Sequence, residues 1–394
     1  MRRAPCATTL RHAPCVGEPD EHYRAVRPGP TICTPVTLRT LLLLASVAAC
    51  ATVADLDAQT PPDPPAAALS AAPTDAAAIE RPSFPQFLDT VRGEALARGI
   101  KASTVDAAFT ELEPLPVVVE RDRTQAEFKL DLDAYIKRRL TPHLMRDTRR
   151  QLAQHHDLLA KIADQYGVPA TTIVAVWALE SNLGRFTGVR PTVAALATLA
   201  WDGRRPFFRS ELLDALTIID RGDIEPEHLR GSWAGAMGQV QFMPSSYLKY
   251  AQDFDGDGRK DIWTSSPDVF ASIANYLKEN GWTSGQPWGR EATVTVAAQD
   301  AVMLGAPLRT EGCRAERDMT VPLSLSQWQD LGVRGLHGRA LPKAELNASL
   351  VTAGTRRFLV YPNYGAILRY NCANAYALTV GVLADRLAAS HSNH

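Results

Sequence analysis

Apolar residues recur at intervals of three and four along much of the chain between residues 87 and 280, the spacing that gathers them on one side of a helix. The pattern predicts helices over residues 87–108, 123–140, 155–166 and 207–219. A further helix over 267–280 opens with Pro267 and stops at Gly281, the usual asymmetry of helix ends. Another, bracketed by Pro169 and Gly184, carries Ile173, Val176, Trp177 and Glu180 at i, i+3, i+4 and i+7. Those four make one stripe, so the Glu180 carboxylate projects on the side that Trp177 buries. Between residues 291 and 361 the texture changes to short alternating or β-branched runs, "ATVTV", "ASLVTA" and "RRFLVY", which predict a small strand-rich insert. Helix returns over 375–388. The expected fold class is mainly α (α+β), helical with a small β-rich insert.

The N-terminal stretch follows neither period. "LLLLASVAACATVA", residues 41–54, is an apolar run too short to span a bilayer and suited to the hydrophobic region of a secretory signal, with Arg39 just before it. Within it, "VAAC" ending at Cys50 resembles the lipobox of bacterial lipoproteins, in which the cysteine is lipidated after cleavage; ordinary cleavage at a small-residue site is the alternative. The following Pro-, Ala- and Asp-rich stretch cannot bury enough apolar surface to offset the entropy of ordering and is expected to be a flexible tether.

Length and charge narrow the function classes. The 394 residues suffice for two or three compact units, and 45% hydrophobic with 22% charged residues is an ordinary globular composition. A formal net charge of −1 supplies no basic field, so nucleic acid is not an expected partner. Cys6, Cys15 and Cys33 precede the cleavage point, which leaves Cys313 and Cys372 in the folded part once Cys50 carries lipid. In an oxidising compartment these two either pair as a disulfide or stay as separate buried thiols.

Glu180 is the chemical anomaly. An unpaired carboxylate on a buried stripe is costly, and the usual escape is protonation near neutral pH, which makes a general acid able to protonate a glycosidic oxygen. A Glu salt-bridged to an arginine from elsewhere is the plain alternative. In "GSWAGAMGQVQFMPSSY", residues 231–247, Gly231, Gly235 and Gly238 allow close backbone approach to a sugar or to a neighbouring helix. Ser232, Gln239 and Gln241 offer neutral donors and acceptors suited to hydroxyl and acetamido groups.

"ESNLG", residues 180–184, together with residues 231–247, resembles a goose-type lysozyme-like core. With "YPNYGAILRYNCANAYA", residues 361–377, the chain closely resembles the membrane-bound lytic murein transglycosylase B family from about Phe84 to Leu387. The resemblance implies that Glu180 is the sole catalytic acid. It would protonate the oxygen between N-acetylmuramic acid and N-acetylglucosamine in peptidoglycan, then act as base on the C6 hydroxyl of the same muramic residue. The product is a 1,6-anhydro sugar, no water is consumed, and the substrate's own N-acetyl oxygen steadies the cationic carbon. Two-carboxylate glycosidases place a second Asp or Glu opposite the first; the other two core motifs contain none.

By the same resemblance Ser232, Gln241, Tyr370, Asn371, Tyr376, Tyr135 and Tyr276 line the groove, with aromatic faces packing on apolar sugar faces. Arg204 and Arg205 align with a pair near the stem peptides, and Ala373 stands where many relatives carry Ser. It also implies a periplasmic enzyme, anchored to the outer membrane through Cys50, acting as a monomer on glycan strands, with no cofactor in the chemistry.

"DFDGDGRKD", residues 253–261, is a second constellation. Asp253, Asp255 and Asp257 at loop positions one, three and five, Gly258 at six, the Arg259 carbonyl at seven and Asp261 at nine follow the EF-hand pattern for Ca2+. Position twelve is Thr264 instead of Glu; in the family a later acid closes the loop, and Asp268 is the matching residue. A structural role is expected for the ion, and an Asp-Gly-rich turn without metal is the alternative.

The organisation expected is a leader over residues 1–54, a tether over 55–83, a helical domain over 84–160, a lysozyme-like catalytic core over 161–285, a β-rich insert over 286–358 and a return to the core over 359–390. Two other functions fit the same features, a hydrolytic muramidase and a non-catalytic peptidoglycan-binding protein.

Overall fold

The computed structural model describes residues 81–124 and 132–391. The leader, Cys50 and all but the last residues of the tether lie outside the described residues. Ser83 begins the fold with a reciprocal cap: its Oγ accepts the Gln86 amide, and Gln86 Oε1 accepts the Ser83 amide at 3.0 Å. Helix α1 (Phe84–Ala97) follows, then α2 (Ala102–Phe109), α3 (Pro116–Thr124), α4 (Leu132–Arg139), α5 (Pro142–Gln154) and α6 (His156–Tyr166). The single helix expected over 87–108 is thus two, separated at the Arg98–Gly99 turn, where Gly99 takes a left-handed φ of 85°. The expected 123–140 helix is represented by the end of α3 and by α4.

Helix α7 (Ala170–Ser181) lies at the centre of the described helices, ringed by α5, α6 and two later helices, α11 and α16. Every residue from Thr172 to Ser181 is buried. This corrects the stripe reading: α7 has no wet face, as expected of a helix apolar nearly all round. Strand β1 (Arg190–Pro191) leads into α8 (Thr192–Asp202) and α9 (Phe207–Asp220) and pairs antiparallel with β2 (Arg230–Gly231). Helices α10 (Pro244–Tyr250) and α11 (Ser266–Glu279) flank the Asp-rich loop.

The insert runs through β3 (Gly289–Val294), α12 (Gln299–Gly305), α13 (Arg314–Arg317), β4 (Leu323–Ser324), α14 (Leu325–Asp330), β5 (Val333–Gly335), β6 (Asn347–Ala353) and β7 (Arg356–Val360). Its strands form one antiparallel sheet in the order β4-β6-β7-β3-β5. The sheet is buried on both faces, which is why β6 and β7 read as apolar runs with weak alternation. Leu350 and Leu359 face a local core built around the fully buried Trp328, whose indole N–H donates to the Ala348 carbonyl at 2.8 Å. Val351, Ala353, Phe358 and Val360 belong to the main helical core.

Helices α15 (Pro362–Tyr370) and α16 (Asn374–His391) return the chain to α7. Cys313, just before α13, is bonded to Cys372, between α15 and α16, with Cα atoms 6.4 Å apart. The expected class, mainly helical with a small sheet, is the one observed. No helix among the described residues is long and apolar enough to cross a membrane.

Candidate active site

Glu180 sits in the last turn of α7 and is 4% exposed. The chain turns sharply after it: Asn182, Leu183 and Gly184 all adopt left-handed backbone, with φ of 50°, 62° and 78°. Ser181 closes this turn, its Oγ donating to the Trp177 carbonyl and accepting the Gly184 amide at 3.0 Å. Non-glycine residues in that region cost energy, and two in succession next to a buried carboxyl mark a segment held by its surroundings. A side chain at Gly184 would be strained by its left-handed φ and would displace Gln239, since a Cβ would lie 2.3 Å from Gln239 Oε1.

Burial pushes the Glu180 carboxyl up to about 8; the neighbouring Tyr376 hydroxyl and the Arg139 charge pull the other way and do not prevail. Glu180 is therefore protonated at neutral pH. The Tyr376 hydroxyl is buried and outside hydrogen-bonding geometry with any neighbour, so it approaches Glu180 without a formed bond. Arg139 reaches across from α4, its Nη2 donating to the Leu179 carbonyl at 2.7 Å. The salt-bridged alternative for Glu180 is not what the structure contains: the cation it meets bonds to the preceding backbone carbonyl.

Tyr276, Tyr370 and Tyr376 all lie close enough to Glu180 for its charge to push their pKa up further, after the larger effect of burial. The three rings pack in sequence, with centroids 4.6 Å apart for Tyr276 and Tyr370 and 6.4 Å for Tyr370 and Tyr376. Tyr276 donates to the Arg369 carbonyl at 2.6 Å and Tyr370 to the Val240 carbonyl at 2.7 Å. The expectation of open aromatic platforms is corrected for these three, which are buried and face one another. Tyr135, on α4, is half-buried and acts on Tyr376. Asn371 is buried beside Tyr370 at the end of α15.

The glycine-rich segment resolves one alternative. A Cβ on Gly231 would meet the Ala236 carbonyl at 2.4 Å, on Gly235 the Leu196 side chain at 2.5 Å, and on Gly238 the Ile262 side chain at 2.8 Å. The close approaches these glycines permit are to the protein itself. Ser232 Oγ accepts the Ala234 and Ala236 amides and shapes the turn. Gln241 has a left-handed φ of 50°, and its Nε2 donates to the Gly238 carbonyl at 2.8 Å. Gln239 bridges two elements, accepting the Trp177 indole N–H at 2.8 Å and donating to the Trp263 carbonyl at 2.7 Å.

Arg204 and Arg205 lie elsewhere. Arg204 pairs with the buried Asp122 at 2.8 Å and with Asp202, and Arg205 with Asp122 at 3.3 Å. Their charges are compensated within this cluster, which Arg81 and Arg123 complete.

In the Asp-rich loop, Asp253, Asp255 and Asp268 bring one carboxylate oxygen each within 4.8 Å of one another. Asp257 and Asp261 stand outside that group. The first accepts the Arg259 amide at 2.8 Å, and the second accepts the Trp263 and Thr264 amides. Asp268 is fully buried and binds the loop at both ends, through the Phe254 and Asp261 amides at 2.7 and 2.8 Å. Burial raises its pKa against the pull of those amides, and the nearby Asp255 charge adds to the rise. A cation would relieve that strain, and three hard oxygen donors fit calcium.

One residue at the site is absent from the sequence analysis, and another takes a different role. Arg139 follows Tyr135 by four residues and so shares its face of α4, a signal present in "AYIKRRLTP". Gln239 was read as a sugar-facing amide, and its bonds are to Trp177 and Trp263 instead.

A family model for the transglycosylase SLT domain matches residues 83–385. The chain is similar to the membrane-bound lytic murein transglycosylase B of Escherichia coli strain K12, 33% identical over 260 residues, which is 64% of this chain and 66% of that protein. The match thus spans just under two thirds of that relative's length. Among solved structures it is similar to SltB3 from Pseudomonas aeruginosa in complex with NAG-anhNAM-pentapeptide, with a TM-score of 0.71 and 43% identity over 78% of this chain and 80% of that one. It is also similar to the E. coli lytic transglycosylase Slt35 in complex with calcium, with a TM-score of 0.65 and 29% identity over 79% of this chain and 94% of that one.

Proposed function

The chain belongs to the transglycosylase SLT domain family, and from that membership we propose that the protein is a lytic transglycosylase. It cleaves the β-1,4 bond between N-acetylmuramic acid and N-acetylglucosamine in peptidoglycan and leaves 1,6-anhydromuramic ends. The observation that carries the reading is Glu180, a buried carboxyl protonated at neutral pH, on which no second carboxylate acts among the described residues.

The reaction then runs through one side chain. The Glu180 proton passes to the glycosidic oxygen as the C1–O bond breaks, and that oxygen leaves as the C4 hydroxyl of N-acetylglucosamine. The C6 oxygen of the muramic residue closes on C1, and its proton returns to the Glu180 carboxylate. Protons balance, Glu180 ends as it began, and no water enters. The Tyr376 hydroxyl, buried and without a protein partner, offers a polar contact for the sugar at the reacting bond. Ser232, Gln241, Tyr135 and Asn371 would line the groove, with Tyr276 and Tyr370 packed behind them; a stem-peptide contact from Arg204 or Arg205 would have to compete with their pairing to Asp122 and Asp202.

Asp253, Asp255 and Asp268 would hold a calcium ion, and the ion would supply cohesion to the loop joining α10 and α11. The similarity to Slt35, solved with calcium, supports this assignment. The signal-like leader and the membrane-bound E. coli relative support a periplasmic enzyme anchored to the outer membrane through Cys50.

The Glu180→Gln variant tests the reading on a soluble glycan of N-acetylglucosamine–N-acetylmuramic repeats. The expected kcat loss is about 1,000-fold or more, with KM within a few-fold, because removing the acid removes transition-state stabilisation but little binding. A kcat within ten-fold of the parent would overturn the assignment of Glu180.

A further inference from the structure

We propose that Arg139 is a positioning residue for this reaction, holding the end of α7 and compensating the carboxylate that Glu180 becomes between its two proton transfers. The inference rests on the acid–base reading of Glu180 given above. In that reading Glu180 starts neutral, gives up its proton, and stands as an anion until the C6 hydroxyl returns one. During that interval a full charge occupies a position only 4% exposed, where an uncompensated carboxylate is costly.

The titratable and charged groups that face Glu180 come from four helices: Arg139 from α4, Tyr276 from α11, Tyr370 from α15 and Tyr376 from α16. Burial pushes the pKa of all three tyrosines up, so they stay neutral and can offer dipoles only. Arg139 is the cation of the set among the described residues. Its guanidinium is fixed by the 2.7 Å bond from Nη2 to the carbonyl of Leu179, the residue directly before Glu180. That carbonyl lies in the final turn of α7, where helical acceptors lack backbone donors and a positive charge complements the helix end.

The placement suits a group that must be an acid first and a base second. A direct buried ion pair with Glu180 would favour the anion so strongly that the acid would be lost at neutral pH. Anchored on the neighbouring carbonyl, Arg139 lowers the cost of the anion and still leaves the carboxyl protonated in the resting enzyme. Arg139 itself exchanges no proton in either step. The plain alternative is that it merely caps α7.

Two variants separate charge from cap. Arg139→Gln removes the charge and leaves a shorter neutral donor; Arg139→Lys keeps the charge. Each is compared with the parent and with Glu180→Gln for kcat and KM across pH on the soluble glycan, alongside thermal melts. Activity requires protonated Glu180, so the parent kcat falls as pH rises through the Glu180 pKa. In Arg139→Gln that descending limb moves to higher pH, because the anion has lost its compensation. Its plateau kcat falls about ten-fold, the rate equivalent of one pKa unit, with KM nearly unchanged. Arg139→Lys restores the limb toward its parental position. The proposal fails if the limb of Arg139→Gln stays in place, whether or not its melting temperature drops, or if Arg139→Lys is no closer to the parent than Arg139→Gln. If Glu180→Gln retains parental kcat, the acid–base reading itself has failed and this inference falls with it.

Discussion

Glu180 loses its hydration on folding and gains, among the described residues, the Arg139 charge and the Tyr376 hydroxyl in return, which defers its ionisation from an ordinary 4.5 to about 8. The same shift has a consequence for stability, with a definite sign. Below pH 4.5 the group is protonated in folded and unfolded chains alike and does not favour either. Between 4.5 and 8 the unfolded chain ionises while the folded one resists, so the folded state loses stability as pH rises, at most about 1.4 kcal/mol per pH unit. Glutamine does not titrate. Glu180→Gln is therefore expected to melt higher than the parent at pH 8, by a margin that shrinks toward zero near pH 4. A margin constant over that range would show that Glu180 titrates normally. Much of this was legible in the sequence, because a single acid ends an uncharged run in "IVAVWALES". Arg139 was not, since its partner Leu179 is 40 residues away and only the fold brings them together.

At the scale of elements, helix ends do the positioning. The α7 terminus is fastened by Ser181, by the bond from Trp177 to Gln239 and by Arg139. The α15–α16 connection, which carries Asn371, is tied to the insert through Cys372 and Cys313, and Asn374 donates to the Ala315 carbonyl at 2.9 Å. Gln239 also receives the far end of the Asp-rich loop through Ile262 and Trp263. Calcium is expected to raise the melting temperature of the protein, because a ligand at about 100 times its Kd contributes about 2.7 kcal/mol to the folded state. Asp255→Asn should abolish that rise, as read by differential scanning calorimetry with and without the ion. An equal rise in the variant would take Asp255 out of the site. Spacing exposed the amphipathic elements α6, α9 and α11, and the Asp-Gly alternation exposed the loop. It hid α8, which is buried nearly throughout and so shows no stripe, and α5, whose few apolar residues are interrupted by as many charged ones. The three loop carboxylates that converge were not separable in sequence from the two that turn to local amides.

At the largest scale, the described residues form a helical body with α7 at its centre and a sheet that shares one face with that body and keeps a second core for itself. Strand texture announced the insert, but burial on both faces is a tertiary fact. Only the pairing of β6 with β7 and β3 reveals which residues face which core. The placement of Arg204 and Arg205 in an ion-pair cluster with Asp122 and Asp202 is likewise set by packing between α3 and α8. All of this converges on one claim about chemistry: a lone carboxyl passes a proton out and back while water stays out of the reaction. The most direct test is mass spectrometry of the fragments released from isolated peptidoglycan when the protein acts in water enriched in oxygen-18. The account predicts anhydromuramic ends, lighter by one water than hydrolysis products and free of the label. Reducing ends that carry oxygen-18 would contradict it, because they would show that water attacks at the site.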